Sequence, residues 1–421
     1  MKQITLTILI FLVALLALGC TERSSDFTYL DVDPGGLTPG KHVFFDQLLL
    51  QILNDRHQLL KFDYYSPEGY FTDINKRAPY LILLAPEGED EKFYFQHGLK
   101  QLADELIATG EIEPMVIFCV QNNPVFGGYF YAGSSYPAGL YDDLLGQAMV
   151  QWIDDVLGGT LVLADSAKWR GIGGFGTGAY GAYRAAMLSG KYGSVSGADG
   201  PMDFDGADGS SGLIDLMDSV FVEQPQLTAA NLRTAYDSSA TNPISRMFIG
   251  GSLAFSPHDL DLDTLITITV LTQNGVQFNH ITIDSTLRGS SYHIIMDSTT
   301  LVQNVINQDA RNFDFHVPFS FTERPYQGPD TIWGRWLDEN LENLLPGHSL
   351  SGIDLWLGTN ADSRWGYHEM TTSWAQTLQN SGLNPTLETF QGYGSHPTTN
   401  SQYVYDIMKR MLIFHSQSFN K

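Results

Sequence analysis

The chain is 421 residues long and strongly acidic, with 47 Asp and Glu against 23 Lys and Arg and a formal net charge of −24. Such a surface repels phosphate backbones and anionic membrane surfaces, which argues against nucleic acid as a partner. With only two cysteines, Cys20 and Cys119, the chain is no disulfide-stapled scaffold; it relies on an apolar core, for which it is long enough.

Lys2, the uncharged apolar run Ile8 to Leu18 and the pair Gly19-Cys20 come first. The run has the length and flanks of a secretory signal segment and is short of the about 20 apolar residues that span a bilayer. Its end resembles a bacterial lipobox, with Ala17 where Leu is usual. The expectation is a lipoprotein signal peptide over 1–19 and an acylated Cys20. The mature protein is then exported to the bacterial cell envelope, periplasmic or extracellular, with its membrane contact made through the lipid. A plain cleaved signal peptide with an incidental cysteine is the alternative. Residues 20–42, polar with Gly, Pro and Ser, read as a tether to a domain over 43–421.

Pro79 to Leu84 reads as a buried strand closed by a Pro-Glu-Gly turn. Apolar residues at helical spacing predict a helix from Lys92 to Ala108, with Gly110 as its stop. Met115 to Val120 is a second buried strand and contains Cys119; Asp142 to Leu157 is an amphipathic helix. A short strand, Arg170 to Phe175, runs through a Gly-rich turn into a helix over Ala179 to Leu188. Buried strands alternating with amphipathic helices indicate an α/β fold, a mostly parallel sheet with helices on both faces.

The texture changes after residue 200. Leu265 to Val270 alternates with period two, then come Asn274-Gly275 and a further run, Val276 to Ile283: a hairpin signal. Asp259, Asp261 and Asp263 alternate with Leu and read as a solvated strand face, so no metal site is assigned. The α/β texture returns near Ile332 with a Trp-rich helix, a strand over Ile353 to Leu357, a helix over Met370 to Gln379, a strand over Thr386 to Phe390 and a helix over Gln402 to His415. One α/β domain with a large insertion at about 203–330, covering the site as a cap, accounts for this order.

The segment Gly173 to Ala182 reads GGFGTGAYGA. A sharp strand-to-helix turn needs small flanking residues around a strained middle one, which is Ser in G-x-S-x-G; here the middle residue is Gly176. Further stretches follow in order: Glu113 to Ile117, Tyr129 to Asp143 with Ser134-Ser135, Ser196 to Phe204, Phe255-Ser256-Pro257 and Ile332 to Trp336. Together they resemble the esterase D-like family of α/β-hydrolases. That family includes S-formylglutathione hydrolases, feruloyl and acetylxylan esterases, siderophore esterases and mycolyltransferases. The resemblance runs over about 78–202 and 330–415. It implies an α/β-hydrolase fold, no cofactor, and a small-molecule or glycan ester as ligand. Residue by residue, Gly176 stands at the nucleophile, Asp362 matches the triad acid and His396 the base.

Two departures bear on activity. Gly176 offers no attacking atom, and Ala85-Pro86-Glu87 replaces the family's His-Gly oxyanion loop. Thr177 is the nearest hydroxyl, one residue past the turn. The chain thus reads as a catalytically impaired binding or scaffold protein for an ester-bearing carbohydrate or aromatic acid; an ester hydrolase with a different nucleophile is the alternative. On the first reading, a Ser at 176 should restore part of the activity through His396. Trp333, Trp336, Trp365, Tyr129 and Tyr131 are candidates to line a sugar or phenolic pocket, beside the plainer reading as core. A dinucleotide fingerprint, Gly176 to Gly181 with Asp199 beyond it, is the weaker match to the same turn.

Overall fold

Apolar strand runs that are buried on both sides build the centre of the sheet. The structure, a computed structural model, describes residues 29–30, 41–52, 56–67, 79–122, 130–132, 142, 144–153, 167–206, 212–223, 243–256, 265–273, 276–287, 290–297, 318, 332–363, 365–394 and 400–421. Cys20, Tyr129, Ser134, Ser135, Asp259, Asp261, Asp263 and His396 lie outside the described residues.

Nine strands share one sheet. Their order is β1 (Tyr29–Leu30), β2 (Lys41–Ile52), β3 (Arg56–Ser66), β5 (Val116–Val120), β4 (Tyr80–Leu84), β6 (Arg170–Phe175), β7 (Ser194–Ala198), β11 (Asp354–Asn360) and β12 (Thr386–Phe390). Pairing is antiparallel from β1 to β5 and parallel from β5 to β12. Alternate side chains face opposite layers. Leu81, Leu83, Ile117 and Cys119 pack with helices α1 (Leu99–Thr109) and α7 (Ser401–Phe419). Ile82, Leu84, Phe118 and Val120 pack with α2 (Thr177–Ser189) and α6 (Tyr367–Asn380). This is the mostly parallel, doubly covered sheet expected from the sequence.

Two predicted helices differ. The one over 92–108 breaks at Gly98, whose φ of 90° ends the turn Phe93–Gln96 before α1 begins. Within the helix predicted over 142–157, the described residues make a π turn, Leu144–Ala148, and one helical turn, Met149–Trp152. Arg184 of α2 anchors this region through Asp142 at 2.7 Å, and through Glu339 at 2.5 Å it holds the segment after helix α5 (Ile332–Asp338).

Within 203–330, helices α3 (Gly212–Glu223) and α4 (Pro243–Phe255) lay Leu213, Leu216, Met217, Ile244, Met247 and Phe248 into the core on the α2 side. Strands β8 (Leu265–Gln273), β9 (Val276–Leu287) and β10 (Ser290–Asp297) form a separate antiparallel sheet. Gln273 pairs with Val276, so the hairpin turns where Asn274-Gly275 predicts it. Trp336 is fully buried, ringed by Phe130, Phe204, Phe248 and Phe255, and its indole N–H donates to Ser256 at 3.1 Å. Trp333, Trp365 and Tyr131 are buried as well; these aromatics are core.

The chain runs from β4 to β5 on one side and then to β6 on the other. At such a reversal the loops leaving neighbouring strands part and open a crevice beyond their carboxyl ends, where ligands of open α/β sheets bind.

Candidate functional site

The sheet register assembles the site. Leu84 of β4 lies opposite Gly174 of β6, so Ala85-Pro86-Glu87 and Gly176 leave the sheet side by side. Gly176 has φ 59° and ψ −131°, a backbone that L side chains adopt only under strain. Its N–H donates to the Ala198 carbonyl at 3.0 Å. Behind it α2 runs close under β4. A Cβ on Gly178 would stand 2.3 Å from the Leu84 carbonyl oxygen, and one on Gly181 would stand 2.6 Å from Tyr131. Close packing therefore accounts for the glycines of the dinucleotide-like pattern.

The segment after β4 is fixed by its carbonyls. Tyr131 and Asn122 donate to the Ala85 oxygen at 3.0 and 3.3 Å. Glu89 donates to the Pro86 oxygen at 3.1 Å, with Gly88 at φ 76° inside the turn. This turn aims Glu87 inward, leaving it 5% exposed. Its Oε2 accepts the Thr177 backbone N–H at 2.9 Å and its Oε1 accepts the Tyr367 hydroxyl at 2.9 Å. Burial pushes the Glu87 carboxyl above the usual carboxylate range, opposed by its hydrogen bonds with Thr177 and Tyr367.

Three features meet at Gly176, the residue the sequence matches to the nucleophile. A Cβ on Gly176 would lie 2.2 Å from Glu87 Oε2 and 2.9 Å from Pro86 Cβ. The space in which a serine side chain would begin is occupied by a carboxylate, so Gly176→Ser requires Glu87 to move. Second, the N–H of the residue after the nucleophile is an oxyanion donor in this fold, and here that N–H is bonded to Glu87. Third, Thr177 is 1% exposed and its hydroxyl accepts from Asn122 Nδ2 at 2.6 Å while bonding Glu87.

Beyond β11, Asp362 is exposed, and its Oδ2 accepts the Gly392 N–H at 2.7 Å. Asn360 Nδ2 donates to the Gly394 oxygen at 2.7 Å. The two side chains pin the loop that leads toward His396. The structure adds an acid that the family comparison does not point to. Asp199, at the end of β7, is fully buried with φ 41°. Its Oδ1 accepts the Thr359 hydroxyl at 3.0 Å and the Asn360 N–H at 2.9 Å, and its Oδ2 accepts the Tyr403 hydroxyl. Burial raises its pKa to about 6 against those hydrogen bonds. These partners engage the carboxylate within the fold. Asp203, Asp205 and Glu342 gather their oxygens within 4.8 Å of one another. Asn340 donates to Asp203 and Asp205 at 3.4 and 3.1 Å. Glu87, Asp199, Tyr367 and Asn122 meet only through the sheet order, and in the sequence their one signal is position after a strand or near a helix start.

No protein-family model and no curated protein matches the sequence. Among solved structures the chain is similar to a ferulic acid esterase, with 14% identity over 91% of this chain and 99% of that one at a TM-score of 0.51. It is also similar to an S-formylglutathione hydrolase from Agrobacterium tumefaciens, with 11% identity over 92% and 99% at a TM-score of 0.49. At such identities the likeness is one of fold: with its parallel sheet, its tight turn after β6 and its helices on both faces, the chain has the α/β-hydrolase fold.

Proposed function

We propose that this chain is an exported lipoprotein, anchored through lipid on Cys20 by a tether that ends where β1 (Tyr29–Leu30) enters the sheet. Its esterase-like domain binds an ester-bearing carbohydrate or aromatic acid without hydrolysing it, under an insertion at about 203–330. The observation that carries the non-catalytic reading is the Glu87 carboxylate, seated on the Thr177 N–H beside Gly176. An acyl transfer needs an attacking atom and a free donor for the developing oxyanion. Gly176 supplies no atom, and the donor is already held by the Glu87 side chain. The fold shared with a ferulic acid esterase supports the ligand class, and Gly19-Cys20 at the end of an apolar run supports the anchor.

The alternative, hydrolysis by a different nucleophile, has one candidate in place, Glu87 itself. Its Oε2 is the atom nearest the vacated position and is also the acceptor of the Thr177 N–H. Attack and oxyanion stabilisation would compete for one donor, which ranks this reading second. The test is hydrolysis of p-nitrophenyl acetate and methyl ferulate by the detergent-solubilised full-length protein. The expected rate equals that of buffer. Turnover that disappears in Glu87→Gln establishes the alternative. Mass analysis of the mature N-terminus tests the anchor: a diacyl or triacyl glycerylcysteine at Cys20 is expected, and an unmodified cysteine contradicts it.

A further inference from the structure

We propose that Glu87 acts as a tethered ligand of its own fold: it fills, from within, a carboxylate-binding cradle at the turn between β6 and α2, and short aliphatic monocarboxylates take that cradle when the side chain is removed. The inference concerns what the turn holds. It stands apart from whether the domain hydrolyses esters.

The cradle is built from two elements that share one anion. The first peptide N–H of α2 meets Oε2 and the Tyr367 hydroxyl at the start of α6 meets Oε1, both at 2.9 Å. Each carboxylate oxygen has its own donor. The Thr177 hydroxyl, beside them, takes the Asn122 amide N–H at 2.6 Å. No Lys, Arg or His pairs with Glu87 among the described residues. The anion is therefore held by converging N–H and O–H dipoles and the positive end of a 13-residue helix. Tyr367 is fully buried and also lies 3.6 Å from Met247 Sδ of α4. The donor thus points into a water-poor site where an unfilled hydrogen bond is costly.

The backbone is shaped for this occupant. Gly176 keeps φ 59° and ψ −131° although no side chain projects from it, and the carboxylate lies where its Cβ would stand. The Glu87 side chain beyond Cα is two methylenes and a carboxylate, the size of propionate. Its removal leaves a gap of that shape, with two buried donors and a helix end at its far wall.

The experiment follows thermal unfolding of the full-length protein in detergent at pH 7. Wild type, Glu87→Gly and Glu87→Gln are each titrated with sodium propionate, with propionamide and with sodium chloride at matched ionic strength. Glu87→Gly is expected to melt lower than wild type. Propionate should restore at least about half of the lost Tm in a saturable manner, as binding to the native state alone requires. Wild type and Glu87→Gln, whose cradle remains filled, should not respond beyond the chloride control. Propionamide, equal in shape and uncharged, should give little recovery. The proposal is overturned if propionate leaves Glu87→Gly unmoved, if it raises all three proteins alike, or if propionamide rescues equally. Should Glu87→Gly be unfolded in chloride, its refolding yield with propionate, read by circular dichroism, decides in the same sense. The ester assay is read separately, so a failure here and a failure of the non-catalytic reading are told apart.

Discussion

Two buried carboxylates stand at the carboxyl ends of strands in one sheet, Glu87 after β4 and Asp199 after β7. Neither has a Lys or Arg partner among the described residues, and burial pushes both upward in pKa, for Asp199 against its hydrogen bonds and the nearby His368. Their surroundings differ. Asp199 takes donors from β11 and α7, so it joins a strand and a helix that are far apart in the chain. Glu87 takes donors from the turn after β6 and from the start of α6. The same electrostatic cost thus joins distant elements in one case and fills the turn at Gly176 in the other.

The largest effect should come from breaking the structural member of the pair. Asp199→Ala strands the Thr359 hydroxyl, the Asn360 N–H and the Tyr403 hydroxyl. At about 1–3 kcal/mol for each buried unsatisfied group, urea unfolding should show a loss of about 3 kcal/mol or more. Asp199→Asn, which suits φ 41° better than Ala does, should lose less. A loss below about 1 kcal/mol for the alanine variant would remove Asp199 from the account.

Gly176→Ser sharpens the other member. Overpacking against Glu87 costs about 1–3 kcal/mol and a non-glycine residue at this φ about 1–3 more. Glu87→Gly removes the tighter contact and leaves only that with Pro86 Cβ, so the double variant should be more stable than the sum of the single losses by about 0.5–3 kcal/mol. Strict additivity in denaturant melts would show that the two residues do not touch.

Acid should separate the carboxylates from a third buried group. His415 lies between Ser194 Oγ at 2.7 Å and Ser196 Oγ at 2.8 Å, and burial lowers its pKa to about 3. Its neutral form is the folded form, so its contribution is whole above the unfolded value of about 6.5 and drains away as pH falls toward 3. Asp199 acts in the opposite sense. Its folded pKa of about 6 exceeds the unfolded value of about 3.9, so its contribution is present at low pH and is lost as pH rises through 6. Between pH 6 and 4 the two oppose each other. Wild-type stability should change little there, while that of His415→Gln should rise as pH falls. Parallel pH profiles for the two proteins would contradict this assignment. The smallest effect belongs to Asp362→Ala, which removes one exposed acceptor of the Gly392 N–H and should stay within about 1 kcal/mol.

Much of the fold is legible in the sequence because β4, β5 and β6 are short apolar runs buried on both faces, bounded by turn residues. The turn at Gly176 is legible for a related reason: glycines at 174, 176, 178 and 181 mark where backbones pass closely. The break at Gly98 is missed because the apolar spacing continues through it. Glu87 reads only as part of an altered loop. Its role depends on the pairing of Leu84 with Gly174, which joins residues 90 positions apart. The role of Asp199, which the sequence offers only as the acid of a dinucleotide-like pattern, and that of Tyr367 are missed for the same reason: burial and partners are properties of the assembled sheet.

The occupied turn is tested most directly by ester hydrolysis in three folded proteins: wild type, Gly176→Ser and Gly176→Ser/Glu87→Gly. The first two should match the buffer rate on p-nitrophenyl acetate, because the carboxylate keeps the serine from its place and holds the oxyanion donor. The double variant, with both released, should gain measurable turnover. Hydrolysis by Gly176→Ser alone, as fast as by the double variant, would contradict the account.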